Sequence, residues 1–167
     1  SGVRRVRNLS PQASLKEQAS ASAAEPLEFA PGSRWKYGIG LNVCGRIIEV
    51  VSGKEYSQFL QQNIFDPLKM NDTTFNPTKQ QCHRVARIYQ PGNAQTDSRV
   101  VATHAVTNRD LRPTPNPSGG LLSTANDLFR FYQAVLNGGE LDGTRIVSAA
   151  AAQQMTTLKT GNITTGF

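Results

Sequence analysis

Two apolar helical stripes stand back to back between Leu41 and Leu68, each closed by a residue that cannot continue a helix. In the first, Val43, Ile47, Val50 and Val51 fall on one face, and Gly53 follows where a left-handed cap suits glycine. In the second, Tyr56, Phe59, Leu60 and Ile64 share a stripe from about Lys54 to Phe65. Pro67 then stops it, having no N–H to give to the ladder. The spacing therefore predicts helices over 41–52 and 54–65. A third pattern, 124–137, starts at a capping Thr124 with Asp127 near the positive end of the helix. Its expected buried face is Leu128, Phe131, Tyr132, Val135 and Leu136, ended by Gly138 and Gly139. Ser148 caps a last helix, 148–157, and Asp142–Gly143 sits at the turn of a small hairpin over 140–147. These elements predict a mostly α fold with long loops and little sheet.

The rest of the chain carries weaker signals. Residues 8–25 are rich in Ser, Ala and Gln with almost no large apolar side chains. They read as a loose surface segment or a weak helix, so 1–25 is set apart as a loose N-terminal segment and 26–167 as the folded unit. Residues 71–117 lack sustained periodicity. Arg84 to Gln90 alternates weakly as one short strand, and Arg112 to Gly120 reads as irregular loop. A stretch of this kind inside a compact domain marks either function or disorder, and so a place to look for a site.

Composition excludes several function classes. No apolar run approaches the ~20 residues needed to span a bilayer. The N-terminal arginines have no apolar core behind them, so the pattern is not that of a signal peptide. The net charge is +6, but beyond Arg4, Arg5 and Arg7 the basic residues are scattered without interleaved aromatics. That is a solvated surface, not a nucleic-acid interface. The two histidines, His83 and His104, have no partner at metal-ligand spacing, and the two cysteines, Cys44 and Cys82, form no CxxC. The expectation is no metal and no organic cofactor. The cysteines alone leave the redox compartment open.

Three short features could carry chemistry. Ser33 to Lys36 fits S-x-x-K, a motif that works when it opens a buried helix and sets the lysine one turn from the serine. Here Pro31–Gly32 precede it and Gly38 follows, which predicts a loop. Lys159 to Gly161 reads K-T-G, but behind a short helix and not on a strand. Both matches are taken as accidental. Tyr37 is different. It lies where a loop becomes a helix, beside Gly38 and Gly40, and its hydroxyl can protrude there. Such a tyrosine is either a packing aromatic or a proton carrier, the second when cations stand near its oxygen.

Over this same stretch the sequence resembles a known family. "PGSRWKYGIGLNVCGRIIEVVSGKEYSQFLQQNIFDPLKMNDTTF" and "PSGGLLSTANDLFRFYQAVLNGG" are similar to serine β-lactamase-like hydrolases: class C β-lactamases, family VIII esterases and related penicillin-binding proteins. The resemblance implies the helical subdomain of their α+β serine β-lactamase/transpeptidase-like fold. It implies acyl transfer from a small-molecule ester or amide, with Tyr37 as the proton-transfer residue. From the residues themselves, Trp35 points the same way as Tyr37 in an extended segment, and the loop Arg112 to Gly120 is expected to fold back as one wall, placing Ser118, Gly119 and Gly120 about the substrate. Ile39 stands where β-lactamases place an asparagine, which favours an esterase or peptidase-like relative. The family's nucleophilic serine and its third motif are expected outside these residues, in the remainder of a parent hydrolase, so this chain alone should be inactive. The rival reading is a non-catalytic helical binding module on the same scaffold.

Overall fold

The computed structural model describes residues 9, 10, 12–91, 100–104 and 115–163. In chain order these form α1 (Leu15–Ala23), α2 (Gly40–Ser52), α3 (Tyr56–Leu60), a π-helical turn (Gln61–Phe65) and α4 (Lys79–Cys82). There follow β1 (Ile88–Pro91), β2 (Val100–His104), α5 (Ala125–Leu136), β3 (Glu140–Leu141), β4 (Thr144–Arg145) and α6 (Ala149–Met155). Helix predominates among the described residues, and the strands make two separate antiparallel ribbons, β1–β2 and β3–β4.

Of the two readings for residues 8–25, a loose segment or a weak helix, Leu15–Ala23 takes the second as α1. Ser14 accepts a hydrogen bond from the Glu17 N–H at 3.2 Å, while the Glu17 carboxylate accepts from the Ser14 N–H at 2.8 Å. This reciprocal capping box satisfies two N–H groups that helix geometry otherwise strands. Ala13 and Leu15, small in number but 6% and 1% exposed, then anchor α1 against α2. Counting large apolar residues undervalued a segment that a single leucine suffices to dock.

Gly53 ends α2 as expected, at φ +68°, with its N–H donated to the Glu49 carbonyl at 3.0 Å. Glu49 then serves both sides of the turn, accepting from Arg46 at 3.0 Å and from the Tyr56 N–H at 3.3 Å. The second predicted helix is divided. After Leu60 the ladder changes register, the Asp66 N–H reaching the Gln61 carbonyl at 2.9 Å. Pro67 follows, and beyond it Leu68 and Met70 turn inward. The main core is Phe65, Leu68, Met70 and Ala134, with Leu60, Ile64, Phe131, Leu141 and Ile146 packed around it. Burying a side chain the size of Leu68 contributes about 1.5–3 kcal/mol.

Thr124 caps α5, accepting from the Asp127 N–H at 3.2 Å. The face this helix buries differs from the predicted one: Asp127 and Ala134 are enclosed and Phe131 half-buried, while Leu128, Tyr132 and Leu136 are exposed. On α2 likewise, Asn42 and Gly45 face inward and Ile47, Val50 and Val51 outward. Periodicity shows that a helix has an apolar side. It does not show what covers that side.

One polar cluster staples distant parts of the chain. Thr74 and Leu122 exchange both backbone hydrogen bonds at 2.9 Å. Beside them the buried Asp127 accepts from the Asp72 N–H and the Thr73 hydroxyl, each at 2.8 Å, and Thr73 meets Ser123 at 2.8 Å. The weak strand signal at 84–90 appears as Ile88–Pro91, paired with a partner strand, Val100–His104. The hairpin at 140–147 forms with Asp142 and Gly143 at its turn, both with positive φ. Of the irregular stretch from Arg112, residues 112–114 lie outside the described set.

Candidate active site

The segment from Pro26 to Ile39 crosses the surface without regular structure and delivers Tyr37 to the start of α2. Side chains hold it in shape. Arg34 lies over the Phe29 ring, 4.6 Å from its centroid, and donates to the Glu28 carbonyl at 3.1 Å. Lys36 is committed to the Glu28 carboxylate, and that hydrogen bond holds the Glu28 carboxyl below the ordinary carboxylate range. Ser33 donates its hydroxyl to the Ala30 carbonyl at 2.7 Å. Ser33 and Lys36 are therefore on a loop and engaged with different partners, not on adjacent helical turns. Lys159 likewise follows α6 outside any strand, hydrogen-bonded to Gln154.

Tyr37 is 71% exposed. Its ring meets Trp35 edge to face, centroids 6.5 Å apart and planes at 68°. Among the described residues its hydroxyl makes no hydrogen bond. It borders a cleft of about 390 Å³ whose walls are largely apolar, from Pro26, Leu27, Phe29 and Ile39, with Glu25, Glu28 and Lys36 supplying the charge. An exposed tyrosine oxygen at the mouth of an apolar recess can exchange a proton with a bound molecule.

The other expected site residues are placed apart from that cleft. Neither Trp35 nor Ser118, Gly119 or Gly120 is in its lining. Ser118 donates its hydroxyl to the Asn42 side-chain oxygen, and its N–H to Asn116 Oδ1 at 3.1 Å. Gly120 sits at φ +96°, a conformation that favours glycine, and among the described residues no atom beyond the chain neighbours lies within 4 Å of the Cβ position at either Gly119 or Gly120. Asn42 itself went unnoticed in the sequence. Its signal in the sequence is an amide inside the otherwise apolar run "GLNVCG", and the fold leaves it 6% exposed.

No group of three or more His, Cys, Asp or Glu converges among the described residues. His83 is exposed, Cys44 and Cys82 form no disulfide with each other, and no described helix is long and apolar enough to cross a membrane. Burial pushes the Tyr56 hydroxyl up, with nearby Cys44 adding to it, so that phenol stays neutral beside Phe75.

With this geometry in place, a family model for beta-lactamase matches residues 4–167. The chain belongs to the beta-lactamase family. Within the family, Protein Rv1367c of Mycobacterium tuberculosis is 30% identical over 141 residues, covering 83% of this chain and 34% of that protein. Esterase EstB of Burkholderia gladioli is 28% identical over 155 residues, covering 84% of this chain and 39% of the esterase. The crystal structure of a putative beta-lactamase from Bacteroides dorei superposes with a TM-score of 0.66 at 24% identity, over 98% of this chain and 41% of that one. That last likeness concerns the fold. The chain thus spans a little over a third of the length of these relatives.

Proposed function

We propose that these residues are the helical subdomain of a serine hydrolase that transfers acyl groups from small esters or amides, with Tyr37 as its proton-transfer residue. The observation that carries this reading is Tyr37, exposed, its hydroxyl without a hydrogen bond to any described residue, in the lining of a largely apolar cleft, in a chain of the beta-lactamase family. Esterase EstB, by its name, acts on esters, and the apolar walls beside Tyr37 suit the hydrocarbon part of such a molecule.

In the proposed reaction a serine outside these residues adds to the substrate carbonyl carbon. Its hydroxyl proton passes to the Tyr37 oxygen and from there to the leaving group as the acyl bond breaks. Water then repeats the sequence on the acyl-enzyme and restores the serine. Trp35 supports the Tyr37 ring from one side. The Ser118–Gly120 turn is outside the lining of that cleft; its part in the proposed site is to meet a substrate that extends beyond the cleft, where two glycines let it lie close to backbone.

The test uses the full-length protein that contains these residues and a p-nitrophenyl ester. Tyr37→Phe should lower turnover by about 10²–10⁴-fold, the range for a lost general acid or base. Its melting temperature should hold, because only an exposed hydroxyl is removed. Ser33→Ala should change nothing. Unchanged turnover in Tyr37→Phe overturns the role of Tyr37, and absence of any ester or amide hydrolysis in the full-length protein favours a binding module.

A further inference from the structure

We propose that Asn42 is a positioning residue: its amide seats the Ser118–Gly120 turn against the start of α2, the helix that follows the Tyr37 segment. The link to catalysis rests on the reading of Tyr37 given above, whereas the seat itself rests on geometry.

A buried amide in an apolar helix costs free energy unless its donors and acceptors are met. At Asn42 they are. Nδ2 donates to Gln18 Oε1 at 2.6 Å and to Asn116 Oδ1 at 3.2 Å, while Oδ1 accepts the Ser118 hydroxyl. Each bond reaches a different place in the sequence: Gln18 lies on α1, and Asn116 and Ser118 flank the approach to Gly119. Gln18 is itself fixed, its own amide donating to the Ala13 carbonyl at 2.8 Å. Asn116 Oδ1 also accepts from the Ser118 N–H, so the turn is closed on itself before it is tied to α2.

One turn further along α2 the same three segments meet again without polar groups. A Cβ built on Gly45 would stand 2.5 Å from Pro117 Cγ and 3.1 Å from Leu15 Cδ1. Gly45 therefore admits Pro117 and Leu15 against the backbone of α2. Polar and apolar contacts agree on one placement for residues 116–118. An aliphatic residue at 42 could fill the space, but it would let the turn slide or rotate. An amide with directed bonds sets both distance and orientation.

The consequence for the site follows from connectivity. Asn42 is five residues beyond Tyr37, in the first turn of α2. It thus joins the tyrosine segment and the glycine turn through one side chain. Displacement of a wall by about 1 Å can cost on the order of 10²-fold in rate, even far from the reacting atoms.

The experiment uses the full-length protein and three variants, Asn42→Asp, Asn42→Ala and Ser118→Ala, with Tyr37→Phe alongside. Asn42→Asp keeps the shape but, once ionised, sets a carboxylate against the oxygens of Gln18 and Asn116. It should lower kcat/KM for p-nitrophenyl butyrate by about 10- to 100-fold at pH 8. Much of this should return toward pH 5.5, relative to wild type at the same pH, as the carboxyl regains a proton to donate. Ser118→Ala, a surface change that should fold normally, should raise KM several-fold with little change in kcat. Backbone amides of 118–120 should exchange hydrogen faster in every Asn42 and Ser118 variant. Unchanged exchange at 118–120 overturns the proposal. So does a fall in melting temperature with kcat and KM per folded molecule unchanged. If Asn42 variants do not fold, the exchange and KM of Ser118→Ala decide by the same criteria. Should Tyr37→Phe leave turnover intact while Asn42→Asp moves both exchange and KM, the seat stands and the proton-transfer role of Tyr37 falls.

Discussion

Arg84 grips Asp72 with both guanidinium nitrogens, at 2.8 and 2.7 Å, and Asp72 in turn donates its N–H to the buried Asp127. The Arg84 hydrogen bonding is the main reason the Asp72 carboxyl is held below its ordinary value of 3.8, and Gln81 assists. A depressed carboxyl favours the folded state above its unfolded value, and the benefit is lost as pH falls through the folded one. Arg84→Ala should therefore be less stable than the parent near pH 7, and the difference should shrink steadily below about pH 4. Urea midpoints at several pH values would show this. Both side chains touch water, so solvent screening keeps the effect small. A gap that persisted undiminished in acid would assign Arg84 a packing role instead.

At the level of elements, the β3–β4 ribbon is locked to the end of α5 through Gly139. This residue sits at φ +95°, its N–H donates to the Ala134 carbonyl at 2.8 Å, and its own carbonyl accepts from Ile146 at 2.9 Å. A Cβ there would overlap the Val147 carbonyl oxygen, a backbone atom with no rotamer to retreat to. Gly139→Ala should cost more than about 2 kcal/mol, combining left-handed strain with steric overlap. Thermal unfolding would measure it, and a neutral result would mean that the ribbon can shift. The sequence announced this ribbon and three helices because their caps and stops are local chemistry: Gly53, Thr124, Ser148, Asp142–Gly143. It marked α1 only faintly, because a single buried leucine gives no periodic stripe. It hid the π turn, because a change from i+4 to i+5 bonding leaves the apolar spacing before it untouched.

For the whole molecule, the outward faces of α2 and α5 decide behaviour in solution. Val51 is 82% and Leu136 78% exposed, and Phe129 and Tyr132 extend the second face. Large apolar side chains exposed together along a helix face mark an interaction site or an aggregation hazard. The 167-residue chain should bind a hydrophobic dye and self-associate as its concentration rises. Paired Val51→Glu and Leu136→Glu changes should suppress both without lowering the melting temperature, as light scattering and fluorescence would report. Equal dye binding by the double variant would place the sticky surface elsewhere. The site was only half legible for a related reason. Tyr37 stood out because its neighbours are small and lie at a loop-to-helix junction. Asn42 was silent because its partners, at positions 18, 116 and 118, are brought to it only by folding. The staple at Thr74 and Leu122 bears on how such a chain can change over generations. Its two hydrogen bonds and the Asp127 cluster pin the ends of a long excursion, so length added within it, away from the seat at 116–118, is absorbed between fixed points. Doubling such a loop costs only about 0.6 kcal/mol of closure entropy, little beside the 5–15 kcal/mol stability typical of a domain. Descendants could lengthen, shorten or exchange that excursion while the frame on either side of it is inherited unaltered.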